Sequence, residues 1–146
     1  MTDNGVETSV RPAISSDSLD HLIDAAFTRA STARGGNALV EQMWGSALDL
    51  QAVHAAFDGE TRAGHVWIAQ RGAEIVAGAL VRDRCVQAIW VQPALRRHKI
   101  ATALLSALMT SDDPPVDAWA LPGDRATKSL YESVGWKARL LTMRGA

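Results

Sequence analysis

A chain of 146 residues suits one domain with one core, so the expected organisation is a single domain over residues 1–146, with 1–5 loose. Fifteen Lys and Arg against sixteen Asp and Glu give a formal net charge of −1, which argues against nucleic acid or a membrane surface as a partner. Cys85 is the lone cysteine, which excludes an intrachain disulfide and a Cys-based zinc site, and no metal is expected.

No run approaches the ~18 apolar residues of a membrane span. Met1 to Thr8 holds neither a basic region nor an apolar run, so no signal peptide is read there and a cytoplasmic protein is expected. Val6 to Arg11 reads as a short strand ended by Pro12. Ser15, Ser16 or Asp17 can cap a helix with Leu19, Leu22, Ile23, Ala26, Phe27 and Ala30 at helical spacing. Gly35-Gly36 stops it. Asn37 can cap a second helix, with Leu39, Met43 and Leu50 near one face, which fades around His54 to Phe57. Asp58 to Gly64 reads as a loop. Three strands follow at His65–Gln70, Glu74–Arg82 and Arg84–Val91, with reversals at Arg71-Gly72 and Asp83. Such short turns imply antiparallel hairpins.

Pro93 stops the third of these strands, and a helix is predicted from about His98 to Met109. Its apolar residues cover most of its surface and leave a polar stripe at Thr102, Ser106 and Thr110, the pattern of a largely buried helix. Arg96, Arg97, His98 and Lys99 sit where this helix begins. Cations there oppose the helix dipole. Either the turn is merely solvated, or a polyanion such as a pyrophosphate normally lies on it. After Pro114-Pro115, Val116–Leu121 reads as a strand. Gly123-Asp124 opens a last helix that ends at Gly135, and Trp136–Arg144 reads as a final strand. The order β-α-α-β-β-β-α-β-α-β is that of an α/β (α+β) fold. It predicts a mixed, mostly antiparallel sheet of about six to seven strands, with about four helices on both faces. The strands before and after the His98 helix form a βαβ crossover and should be parallel.

This order and these residues resemble the GNAT superfamily of N-acetyltransferases over nearly all of the chain, most strongly over residues 84–136. The family's cofactor motif, Gln/Arg-x-x-Gly-x-Gly/Ala, aligns with Arg96-Arg97-His98-Lys99-Ile100-Ala101, with Lys99 standing where the family has Gly. A second motif, Leu-Tyr, three residues, then Gly-aromatic, matches Leu130-Tyr131-Glu132-Ser133-Val134-Gly135-Trp136. The resemblance implies acetyl-CoA as co-substrate. Its pyrophosphate would meet the loop at Arg96, Arg97, His98, Lys99, Ile100, Ala101 and Thr102. Its pantetheine arm would lie in a cleft opened by a bulge near Trp90-Val91 and bond to the exposed backbone at Ile89, Trp90 and Val91.

Tyr131 is then the candidate general acid for the leaving thiolate; alone it would read as a core tyrosine. Asp124, Thr127 and Tyr131 share one helix face and could touch the cofactor arm, although Asp124 also fits a helix cap. No base is evident; Asp83 and Asp117 are weak candidates that read first as turn and surface carboxylates. His54, His65 and an ordered water are further options. The acceptor, a small-molecule or peptide amine, should lie between the first two helices and the Asp58–Gly64 loop, where Glu41, Asp49, Asp58 and Glu60 occur and Trp44 could form a wall. The competing expectation is a GNAT-like domain that binds CoA as a sensor or interaction module, without catalysis. A homodimer is the commonest closed assembly and one option here.

Overall fold

The structure is a computed structural model that describes residues 7–32, 49–96, 99–120 and 125–138. Among these residues the elements are β1 (Thr8–Pro12), α1 (Asp20–Thr32), α2 (Leu50–Arg62), β2 (Val66–Arg71), β3 (Glu74–Arg82) and β4 (Cys85–Val91). A 3-10 turn (Pro93–Leu95), α3 (Ile100–Met109), β5 (Asp117–Ala118) and α4 (Arg125–Ser133) complete the order. The fold is α+β, with four helices and a five-stranded mixed sheet in the order β1-β2-β3-β4-β5 among the described residues. Among the described strands the β4–β5 pair alone is parallel, as the crossover through α3 requires. Residues 136–138, the described part of the predicted last strand, lie outside regular structure. The start of the second predicted helix, Trp44 and residues 139–144 lie outside the described residues.

Two apolar clusters sandwich the sheet. On one face Leu22 and Ile23 of α1 and Val53 and Phe57 of α2 pack on Val66, Ile68, Leu80 and Trp90. On the other, Ile100, Leu104, Leu105 and Leu108 of α3 and Tyr131 of α4 pack on Ala69, Val76, Ala77, Ala79 and Val86. Leu104, Leu105 and Leu108 are fully enclosed, each contributing roughly 1.5–3 kcal/mol of burial. Ser106 and Thr110 of the predicted polar stripe are exposed.

The turns follow local chemistry. Asp83 and Arg84 both have positive φ, 53° and 58°, between the paired residues Arg82 and Cys85. This is a two-residue hairpin whose twist matches the strands. Gly72, at φ 60°, serves the β2–β3 reversal.

The Asp58–Gly64 segment corrects the sequence reading: it is helical through Arg62. Val53, Phe57 and Thr61, at i, i+4 and i+8, form the buried stripe of α2, which the polar run Asp58 to Thr61 hides in the sequence. Asp49 caps the helix by accepting from Ala52 N–H at 2.8 Å. Asp58 pairs with Arg62 one turn on.

Candidate active site

The β4–β5 pair opens soon after it begins. Arg84 O accepts from Val116 N–H at 2.8 Å, and Val86 O accepts from Trp119 N–H at 2.9 Å. Ladder pairing covers only Cys85↔Asp117 and Val86↔Ala118. Val116–Leu121 was expected as a longer strand; β5 is Asp117–Ala118. Beyond Val86, β4 continues for five residues with no β5 partner among the described residues.

A bulge sets what that open edge presents. Leu80 pairs with Ala88 and Val81 with Val86, so Gln87 is the extra residue of β4. It lies three residues before Trp90, upstream of the expected Trp90-Val91 position. In an antiparallel ladder each residue turns its N–H and C=O to the same side. Before the bulge, Arg84 and Val86 turn toward β5. After it, Gln92 N–H bonds Val76 O of β3 at 2.8 Å, and Trp90 and Ala88 share that parity. Ile89 and Val91 therefore turn their N–H and C=O groups toward the open edge.

The helix after β4 begins without a side-chain cap and without an acidic residue in its first turn. Lys99 at its N-cap is exposed and holds φ 60°, ψ 20°, the left-handed region that glycine favours. This is the physical reason for the family's glycine here. The lysine adopts the same backbone at a strain of roughly 1–2 kcal/mol and brings an ammonium to the uncapped N–H groups. Ile100 is buried, Ala101 and Thr102 are half-buried, and Arg96 is exposed. Arg97 and His98 lie outside the described residues. Open backbone on β4 and an uncapped cationic helix start right after it fit a pantetheine arm and a pyrophosphate.

The second motif is explained by its helix end. Trp136 N–H bonds Tyr131 O at 3.1 Å and Gly135 N–H bonds Glu132 O at 3.0 Å, with Gly135 at φ 91°. These are the 6→1 and 5→2 bonds of a Schellman cap. The reversal lays Trp136 on Tyr131, ring centroids 5.8 Å apart and planes 19° from parallel. The spacing Tyr-x-x-x-Gly-aromatic thus fixes the Tyr131 ring. Thr127 and Tyr131 share the buried face of α4 as expected, and Tyr131 Oη is enclosed. Asp124 lies outside the described residues.

The two carboxylates weighed as a base are placed elsewhere. Asp83 is exposed at the β3–β4 hairpin tip, and exposed Asp117 is level with Cys85. Asp117 sits at the closed end of the cleft, roughly 10 Å along the ladder from Ile89 and 17 Å from Val91, and Asp83 lies beyond it at the hairpin. The histidines are engaged by neighbours. His54 Nε2 lies 2.6 Å from Asp24, joining α2 to α1, and His65 Nδ1 lies 2.9 Å from Glu60. Asp49, Asp58 and Glu60, expected near the acceptor, serve as a cap, an ion pair and a partner of His65 and Arg82. Glu41 lies outside the described residues. Burial, and then the nearby Asp117 and Asp83, push the Cys85 thiol up to about 11, so it is no nucleophile. Among the described residues no group of three or more His, Cys, Asp or Glu could hold a metal, and no helix is long and apolar enough to cross a membrane.

Sequence reading missed Gln87. It is 6% exposed, and its Oε1 meets no hydrogen-bond partner among the described residues. The available signal was one amide inside the otherwise apolar run Cys85–Val91.

The chain belongs to the GNAT acetyltransferase family: residues 62–138, just over half of it, match the sequence profile described as an acetyltransferase (GNAT) domain. Solved structures share the fold. An aminoglycoside N-acetyltransferase in complex with CoA superposes with a TM-score of 0.62 at 14% identity, covering 99% of each chain. The diaminobutyrate acetyltransferase of Paenibacillus lautus, in complex with L-2,4-diaminobutyric acid and coenzyme A, gives 0.59 at 16% identity, over 89% of this chain and 75% of that one. A GNAT-family protein of Xanthomonas campestris pv. campestris gives 0.60 at 22% identity, over 96% and 94%. No curated protein sequence matches.

Proposed function

We propose that the protein transfers an acetyl group from acetyl-CoA to a primary amine by direct attack within a ternary complex. The observation that carries this reading is the open edge of β4, where the bulge at Gln87 turns Ile89 and Val91 outward. The pyrophosphate binds at the start of α3, over the N–H groups of Ile100, Ala101 and Thr102, with the Lys99 and Arg96 side chains adding charge. From there the pantetheine arm meets Val91 first and Ile89 deeper, so the Ile89 N–H is the donor that polarises the thioester carbonyl.

The chemistry balances within the pair of substrates. The amine nitrogen forms a bond to the acyl carbon, the carbon–sulfur bond breaks, and one amine proton ends on the thiol. Tyr131 supplies the proton to the departing thiolate, its ring held by Trp136. The amine attacks as the free base, and the proton it sheds on attack passes through water in the cleft to restore Tyr131, since Asp83 and Asp117 lie at the closed end. Relatives with this fold carry an aminoglycoside acetyltransferase name or hold L-2,4-diaminobutyric acid, which supports small polyamino compounds as the acceptor class.

Binding of CoA without catalysis is the second reading, and the placement of Asp83 and Asp117 at the closed end favours it, because neither carboxylate lies beside Ile89 to serve as a base. Calorimetry with acetyl-CoA, followed by thiol release over an amine panel, tests both. Saturable binding with turnover that falls about a hundred-fold in Tyr131→Phe supports catalysis. Saturable binding with no turnover in the wild type supports the second reading, and absence of binding refutes both.

A further inference from the structure

We infer that Gln87 is the acceptor-binding residue: its side-chain Oε1 receives an N–H of the attacking amine beside the thioester. The inference rests on the transfer reaction proposed above and adds the group that holds its second substrate. Buried polar atoms are nearly always paired, because a lone one forfeits its hydration with nothing in return. Gln87 Oε1, Trp90 Nε1 and Gln92 Oε1 are buried without a partner among the described residues. They fall within six consecutive residues, along the stretch whose backbone faces the open edge.

Gln87 is the one of these built in by the bulge. It is the residue left out of the β3 register, and it stands where β5 stops pairing. Ile89, whose N–H faces the cleft, lies two residues on. An acyl carbonyl at Ile89 N–H therefore lies about two strand steps, roughly 7 Å, from Gln87, a span that the glutamine side chain and the amine together cover. An amide oxygen is a neutral acceptor. It can orient an amine by one N–H so that the nitrogen lone pair faces the acyl carbon, and it cannot take the proton. The amine must then arrive uncharged, and kcat/KM should climb with pH toward the amine's own pKa. Amines of low pKa, such as α-amino groups, are the acceptor class this favours over lysine side chains.

The test uses Gln87→Met, which keeps the length and removes the acceptor atom. Thiol release is followed with L-2,4-diaminobutyrate, an aminoglycoside and a set of simple amines, alongside acetyl-CoA calorimetry and a thermal melt. The expected result is an amine KM raised about ten-fold or more, an unchanged acetyl-CoA Kd, and a melting temperature equal to or above the wild type. Gln87→Glu, which keeps an acceptor oxygen and adds a base, should hold the amine KM near the wild type and move the rate profile to lower pH. An unchanged amine KM in Gln87→Met overturns the inference while leaving the transferase reading standing. So does a loss of acetyl-CoA affinity that matches the loss of amine affinity, which would mean packing. If Gln87→Met does not fold, an unchanged pH profile in Gln87→Glu overturns it instead. No turnover with any amine in the wild type overturns the inference together with the reading beneath it.

Discussion

Lys99 tests the backbone and the charge of the pyrophosphate loop separately. Its φ of 60° and ψ of 20° place a lysine in the left-handed region. A Cβ costs roughly 1–2 kcal/mol there. Lys99→Gly removes that strain and gives back about 0.4–1 kcal/mol through the freer unfolded chain. The net expectation is a gain of about 0.5–1 kcal/mol, or roughly 1–4 °C in Tm for a chain of this size. Lys99→Ala keeps the Cβ, so it should fall below Lys99→Gly by about the same amount. Both variants lose the ammonium. Acetyl-CoA affinity should therefore weaken about three- to ten-fold in each at low salt, with the difference from the wild type shrinking as salt rises. Thermal melts and calorimetry at two ionic strengths read every arm. A Lys99→Gly protein less stable than Lys99→Ala would refute the left-handed conformation. Tighter binding in Lys99→Gly would refute the charge argument and show that the side chain obstructs the loop.

Three further expectations follow from the packing and electrostatics. A Cβ at Gly78 would lie 2.8 Å from Trp90 Cζ2 and 3.3 Å from Trp67 O. Gly78→Ala should therefore cost about 1–3 kcal/mol by urea denaturation; an unchanged midpoint would remove the indole from over the strand. Arg11 grips Asp17 at 2.8 and 2.9 Å, and Asp17 also accepts from Ile14 N–H at 2.7 Å. The Arg11 hydrogen bond, first, holds the Asp17 carboxyl below the usual carboxylate range. A depressed folded pKa gives stability that is present above the unfolded value of ~3.9 and lost as pH falls through the folded one. Asp17→Asn should thus be less stable than the wild type at pH 6, with the gap narrowing as pH falls below about 4; a gap that does not change with pH contradicts the pairing. Cys85, raised to about 11 and buried, should resist iodoacetamide at pH 8 until the protein unfolds. Fast native labelling would contradict its burial.

Much was legible in the sequence because it is written locally. The hairpins follow from Gly72 and from Asp83-Arg84, residues that tolerate positive φ. The helix from Ile100 to Met109 follows from its apolar spacing, and the Tyr131 motif is a helix cap with its own hydrophobic contact. Asp58 to Arg62 escaped because their polar side chains mask a stripe whose buried members are spaced a turn apart. Register was not legible. The bulge at Gln87 depends on how β3 and β4 align over nine and seven residues, and one skipped position reverses which residues face the cleft. Local chemistry thus determined the elements, their order and the family. Only the tertiary structure decided that Ile89 and Val91 turn outward, that Asp83 and Asp117 lie at the closed end, and that Gln87 is buried with an oxygen unpaired among the described residues. Those outcomes depend on pairing between distant segments, which no local run of residues specifies.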